Sequence, residues 1–190
     1  MPRLFTGISL PEAIRDQLTE LEAPLPGANW VDIDNLHLTL RFAGDIDNRT
    51  ARDFSDMLAS ISVNAFLLRL SGLGTFGGKE PHTLYAGVQP NPTLEALARA
   101  NERAAVAAGL SPSRRAFKPH VTLARLNRSR PDILARYLGR HSAFRSSAFL
   151  VTEFDLFSAR PNVGGGPYIS EETFSLSGGN FSSMEEYGSG

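Results

Sequence analysis

A histidine followed two residues later by threonine occurs twice in this chain, each time in an apolar setting. The first copy is Leu36-His37-Leu38-Thr39-Leu40 and the second is His120-Val121-Thr122-Leu123. Alternation at period two predicts a half-buried strand in each case, with His37 and Thr39 on one face and Leu38 on the other, and likewise His120 and Thr122 against Val121. The chain has four His in 190 residues. Two of them meeting a Thr at this spacing by chance is expected roughly once or twice in a hundred such compositions. The arrangement therefore restricts the fold to one that can use the same strand twice.

The surrounding order repeats as well. The pattern predicts a strand over 3–8, then a helix opened by Ser9 with Pro11 in its first turn and Glu12 completing a capping box. The His37 strand runs from Leu36 to Phe42, a helix from about Asn48 to Ile61, and a strand from Ala65 to Leu73, with a Gly-rich loop from Gly72 to Glu80. The series then restarts with a strand from Thr83 to Val88. A helix capped by Asn91, with Pro92 at its first position, stops at Gly109. The His120 strand, a helix from Ser129 to about Leu138 and a strand from Phe149 to Phe157 follow. After a Gly164-Gly165-Gly166 loop, a last strand from Tyr168 to Leu176 closes the series. His37 and His120 are 83 residues apart (120 − 37), and Pro11 and Pro92 are 81 apart, which argues for an internal duplication. Two such lobes facing each other would bring both His-Thr pairs to one cleft.

Composition excludes several classes. At 42% hydrophobic content the chain can bury a core as one bilobal domain, expected over residues 1–177, and a net charge of −1 gives no global pull toward nucleic acid or membrane. The Gly/Ser-rich stretch from Gly178 to Gly190 reads as a disordered or appended tail. With no Cys, disulfides and thiolate metal sites are out. No stretch has the length of a membrane span, so a cytoplasmic protein is expected. Charge is uneven: nine basic residues, among them Arg114, Arg115, Lys118 and Arg125, lie between Ser111 and Arg145 against one acid, Asp132. A basic surface around His120 follows.

Two facing imidazoles can act as a general base and a general acid near neutral pH. Thr39 and Thr122 can donate to phosphate oxygens. A metal is not expected, because Thr is a poor ligand and no further ligand accompanies the two His. His82 and His141 read as ordinary structural or surface residues. Phe42 and Arg125 each stand five residues beyond a catalytic-candidate His and could sandwich a nucleobase. Strict alternation puts both on the wrong face, so that role needs a bulge in each strand. Without one, Phe42 is core and Arg125 a surface ion-pair partner. Arg41, at an even offset, is expected on the His37 face as a partner for phosphate or for a neighbouring carboxylate.

The paired motifs, the duplication and their flanks resemble the two-histidine (2H) phosphoesterase superfamily. Within it, Arg3-Leu4-Phe5, the run from Asn35 to Phe42 with Gly44, and the run from Phe117 to Arg125 are similar to bacterial and archaeal RNA 2′,3′-cyclic phosphodiesterases, formerly called 2′-5′ RNA ligases. The sequence departs from the family pattern at Ala43 and at Pro81-His82-Thr83. The resemblance implies an α+β fold: two pseudo-symmetric lobes of antiparallel sheet with outer helices, facing across a central cleft. It implies cofactor- and metal-free opening of RNA-terminal 2′,3′-cyclic phosphate to 2′-phosphate, with reverse 2′-5′ joining as a side reaction. Partners would be RNA ends or nucleotides carrying that group, acted on by a monomer. Alternatives are a phosphodiesterase for a small cyclic phosphate such as ADP-ribose 1″,2″-cyclic phosphate, and a non-catalytic RNA-end binder. The resemblance also favours base contact by Phe42 and Arg125, and it assigns His120 as base and His37 as acid. Electrostatics points the same way: Arg residues should lower the His120 pKa, and Asp32 and Asp34 should favour protonated His37.

Overall fold

The computed structural model describes residues 3–160 and 166–178. In chain order these form β1 (Arg3–Ser9), α1 (Glu12–Thr19), β2 (Ala28–Trp30), a 3₁₀ turn (Ile33–Asn35), β3 (His37–Asp45) and α2 (Asn48–Ala59). They continue with β4 (Phe66–Leu68), β5 (Leu70–Phe76), β6 (Thr83–Val88), α3 (Pro92–Ala107), β7 (His120–Leu126) and α4 (Pro131–Arg140). The series ends with β8 (Phe149–Val151), β9 (Glu153–Ala159) and β10 (Ile169–Ser175).

The fold is α+β with antiparallel sheets. One lobe is the sheet β10-β9-β1-β3; the other is β7-β6-β5, with β2 on the far part of β7. The two sheets join where β3 meets β7 at the single pair Leu38–Val121, both fully buried. A separate two-stranded ribbon pairs β4 with β8, Leu67 opposite Leu150. Members of both pairs are 83 residues apart, so both lie on the axis that relates the two halves.

Strand pairing departs from the sequence expectation in one respect that organises the molecule. The third strand of each repeat was expected in its own lobe, yet β5 pairs with β6 of the second half and β9 pairs with β1 of the first. Each expected long strand is in fact two, β4 and β5 split by Arg69, and β8 and β9 split by Thr152. The short first piece pairs at the axis and carries the chain across, so the second piece satisfies an otherwise open sheet edge in the opposite lobe. Gly72 and Gly74, expected in a loop, are part of β5.

The helices follow local rules, with two exceptions. Asn91 caps α3 by accepting from the Leu94 amide at 3.0 Å, Pro92 opens it, and Gly109 follows its end at φ +101°. Asp47 caps α2 through the Thr50 amide. The capping box at Ser9 does not form: Ser9 ends β1, Pro11 is the N-cap and no side chain caps α1. β1 keeps Ser9 because its backbone pairs with His37. The last helix starts at Pro131, without a side-chain cap. Helix α3 covers β3 and lies beside α2, while α4 is tied to the turn that follows α1, where the buried Tyr137 hydroxyl donates to the Leu21 carbonyl at 2.7 Å. Of the expected Gly164–Gly166 loop and the tail from Gly178, all but Gly166 and Gly178 fall outside the described residues.

Candidate active site

Both histidines begin their strands, and both are held the same way. His37 Nδ1 donates to the Asn35 carbonyl at 2.7 Å, and His120 Nδ1 donates to the Lys118 carbonyl at 2.7 Å. A carbonyl can only accept, so each ring carries its neutral-form proton on Nδ1 and keeps Nε2 for chemistry. The Thr39 hydroxyl lies 2.9 Å from His37 Nε2 and donates to it when the ring is neutral. Because Leu38 pairs with Val121, the residues flanking that junction, His37 with Thr39 and His120 with Thr122, converge on one seam. His120 is close enough to lower the pKa of His37 by charge.

Register decides the flanking residues. In the first lobe Ser9 pairs with His37, Gly7 with Thr39 and Phe5 with Phe42, so Phe42 shares the His37 face. The register slips past Leu40 between the pairs with Thr6 and Gly7, which is the bulge that base contact by Phe42 requires. The same slip carries Arg41 off that face. It pairs with Thr6, and its Nε donates to Glu102 of α3 at 2.5 Å, while further guanidinium bonds reach the Phe42 and Ser111 carbonyls. Of the two roles expected for Arg41, the structure places it with the carboxylate and away from the cleft.

In the second lobe Gly87 pairs with His120, Tyr85 with Thr122 and Thr83 with Arg125, with a slip past Leu123. Arg125 therefore lies on the His120 face, and its guanidinium donates to the Thr83 hydroxyl at 3.1 Å. His37, Thr39, Phe42, His120, Thr122 and Arg125 thus come together on the cleft faces.

The walls differ in chemistry. The Phe5 ring lies 4.9 Å from His37, 5.6 Å from Phe42 and 5.3 Å from Phe157, and Tyr168 stands edge-on to His37 at 5.0 Å. Phe42 crowns this cluster with 60% of its surface exposed. Gly7 lies beneath, where a Cβ would sit 2.9 Å from the Leu38 carbonyl oxygen. Around His120, Phe76 and Tyr85 stack on each other at 4.4 Å, with the Lys118 ammonium over both rings. Gly74 lies across from Tyr85, and a Cβ there would strike the phenol.

Residues 10–162, most of the chain, match the 2′-5′ RNA ligase superfamily. The chain belongs to that family. An RNA 2′,3′-cyclic phosphodiesterase of Aquifex aeolicus is 30% identical over 179 residues, covering 92% of this chain and 95% of the relative. One from Aeropyrum pernix is 34% identical over 119 residues, covering 62% of this chain and 66% of the relative, a little under two thirds. Among solved structures, E. coli LigT complexed with 3′-AMP superposes with a TM-score of 0.75 at 27% identity, over 93% of this chain and 98% of that one.

Within this family member, both histidine pKa values lie below the ordinary value. Burial is the largest cause for each, opposed by the backbone hydrogen bond. For His37 the charges of His120 and Arg125 add to the lowering; for His120 those of Arg125 and Lys118 do. The expected depression at His120 is therefore present, with burial ahead of charge. The expected opposite bias at His37 is not. Asp34 pairs with Arg15 at 3.6 Å and Asp32 accepts from the Asp34 amide, so neither supports a charged His37. Of the basic cluster, Lys118 and Arg125 bear on His120, while Arg130 and Arg136 pair with Asp132. His82 contacts the Thr83 hydroxyl, and His141 packs on Tyr137.

Phe5, Thr83, Tyr85 and Tyr168 border the site without having been singled out from the sequence. Three lie on strands adjacent to the histidine strands, and the fourth is 131 residues from His37 in sequence. A local pattern carries no signal for them. For the first three the strand register does: Phe5, Gly7 and Ser9 stand to their lobe as Thr83, Tyr85 and Gly87 stand to theirs.

Proposed function

We propose that the chain hydrolyses 2′,3′-cyclic phosphate at RNA ends to 2′-phosphate, without a metal, through His37 and His120. The observation that carries this reading is the matched anchoring of the two rings, each with Nδ1 on a backbone carbonyl and Nε2 turned away from the backbone, at one seam with two threonine hydroxyls, of which Thr39 bonds His37 Nε2. The family relatives named RNA 2′,3′-cyclic phosphodiesterase support the substrate class. His120 Nε2 takes a proton from water as its oxygen attacks phosphorus. The P–O3′ bond breaks, and His37 Nε2–H gives its proton to the departing O3′. Thr39, Thr122 and Arg125 hold the non-bridging oxygens, and Phe42 takes the base. With a ribose 5′-hydroxyl entering in place of water, the same proton transfers and the same P–O3′ cleavage join 2′-5′ ends.

Lys118 bears on His120 and not on His37, which favours the neutral, basic form at His120. His37 acquires its acidic proton together with the substrate's phosphate, whose negative charge raises both pKa values. The sign follows for pH dependence. Activity needs one neutral and one protonated ring, and both free-protein pKa values are lowered, so kcat/KM peaks below pH 6.5 while the kcat optimum lies higher. Incubation with EDTA and an oligonucleotide ending in 2′,3′-cyclic phosphate tests the reading: full activity and a 2′-phosphate product are expected. Loss of activity on chelation, or a 3′-phosphate product, would overturn the mechanism.

A further inference from the structure

Past His120, away from Arg125, the row of strand partners leads across the second lobe to two arginines at its edge. Gly87, the cross-strand partner of His120, lies against the Ser71 carbonyl, where a Cβ would come within 2.7 Å. Ser71 in turn bridges to Arg145 in the segment that borders the free edge of β5. The row from His120 to Arg145 therefore crosses two residues of minimal side chain. Three strand spacings make it about 14 Å between backbones. Two residues beyond Gly87, the Gln89 amide donates to the Arg69 carbonyl at 2.9 Å, placing Arg69 one step further along the same strands. Arg69 and Arg145 together line two adjoining hollows of about 820 and 390 Å³ that share both residues. Neither guanidinium forms an ion pair among the described residues, and the one acid on these walls is Glu20, exposed just past the end of α1.

We infer that Arg69 and Arg145 bind the phosphate backbone of the RNA strand upstream of the reacting end. This rests on the function proposed above and makes the physiological substrate a polymer. A substrate whose terminal phosphate lies between the histidines must lead its remaining nucleotides out of the cleft. The Gly87–Ser71 shelf is the low wall on the His120 side, and two cations without ion-pair partners stand beyond it. Guanidinium pairs suit phosphate, and a cationic groove of this kind follows a backbone without reading its sequence.

The test compares wild type, Arg69→Gln/Arg145→Gln and Arg69→Lys/Arg145→Lys on two substrates, an oligonucleotide with a terminal 2′,3′-cyclic phosphate and cytidine 2′,3′-cyclic phosphate. The Gln variant should lose at least about tenfold in oligonucleotide kcat/KM, through KM, and stay within twofold on the mononucleotide. The Lys variant should recover most of that loss. Binding of a labelled oligonucleotide with a terminal phosphate, followed by anisotropy, should show a salt slope shallower by about 1.4 in the Gln variant, two single-strand contacts at roughly 0.7 each. Equal losses on both substrates, or unchanged oligonucleotide binding and turnover in the Gln variant, would overturn the inference. Absence of turnover on either substrate in wild type counts against the proposed function instead, and the binding arm still decides the groove.

Discussion

The two lobes share a frame and differ in what they hang on it. Position for position, Ser9, Gly7 and Phe5 face His37, Thr39 and Phe42, as Gly87, Tyr85 and Thr83 face His120, Thr122 and Arg125. Even the bulges recur, each two residues before the +5 position, at Leu40 and Leu123. On this frame the first lobe carries the rings Phe5, Phe42, Phe157 and Tyr168, while the second adds the cations Arg125 and Lys118 to its own rings, Phe76 and Tyr85. Duplication supplied two equivalently held imidazoles; under the function proposed above, the divergence of their neighbours gives the base one wall and the phosphate the other. It also separates the histidines electrically, since Lys118 reaches only one of them.

Removing the shared part should have the largest effect. His37→Ala and His120→Ala are each expected to lower kcat by at least about a hundredfold with the fold intact, measured by steady-state kinetics and circular dichroism. A substrate with a good leaving group in place of O3′ needs little acid help, so it should rescue His37→Ala far more than His120→Ala. Rescue in the opposite order would exchange the two roles.

The part that differs comes next. Arg125→Gln should cost roughly 10- to 100-fold in kcat/KM, from loss of a charged hydrogen bond. Because Arg125 lowers the pKa of both histidines, its removal should also move the whole pH–rate bell upward. Phe42→Ala should raise KM by about tenfold through lost stacking and leave the bell in place. If both variants behaved alike in pH dependence, the contrast between the lobes would lose its functional meaning.

Lys118→Gln is the finest probe. It should shift only the acidic limb of kcat/KM upward, since the base His120 loses one neighbouring cation while His37 loses none. Movement of the alkaline limb instead would place the acid at His120.

The histidine strands, the threonines beside them and the 83-residue offset were legible because each rests on local alternation and on identity between repeats. The cap at Asn91 was legible because capping, too, is local. The Ser9 cap failed because a strand partner competed for that backbone and won. Arg41 is the clearest case on the other side: its even offset from His37 put it in the site, and a bulge set by pairing with β1 put it on Glu102. Whether +5 turns inward, which lobe receives β5 and β9, and how far burial lowers two imidazole pKa values all depend on groups distant in sequence. Which residues could do the chemistry is read from side-chain type and period alone. Which of them face each other is not, because register and desolvation are properties of strands already paired.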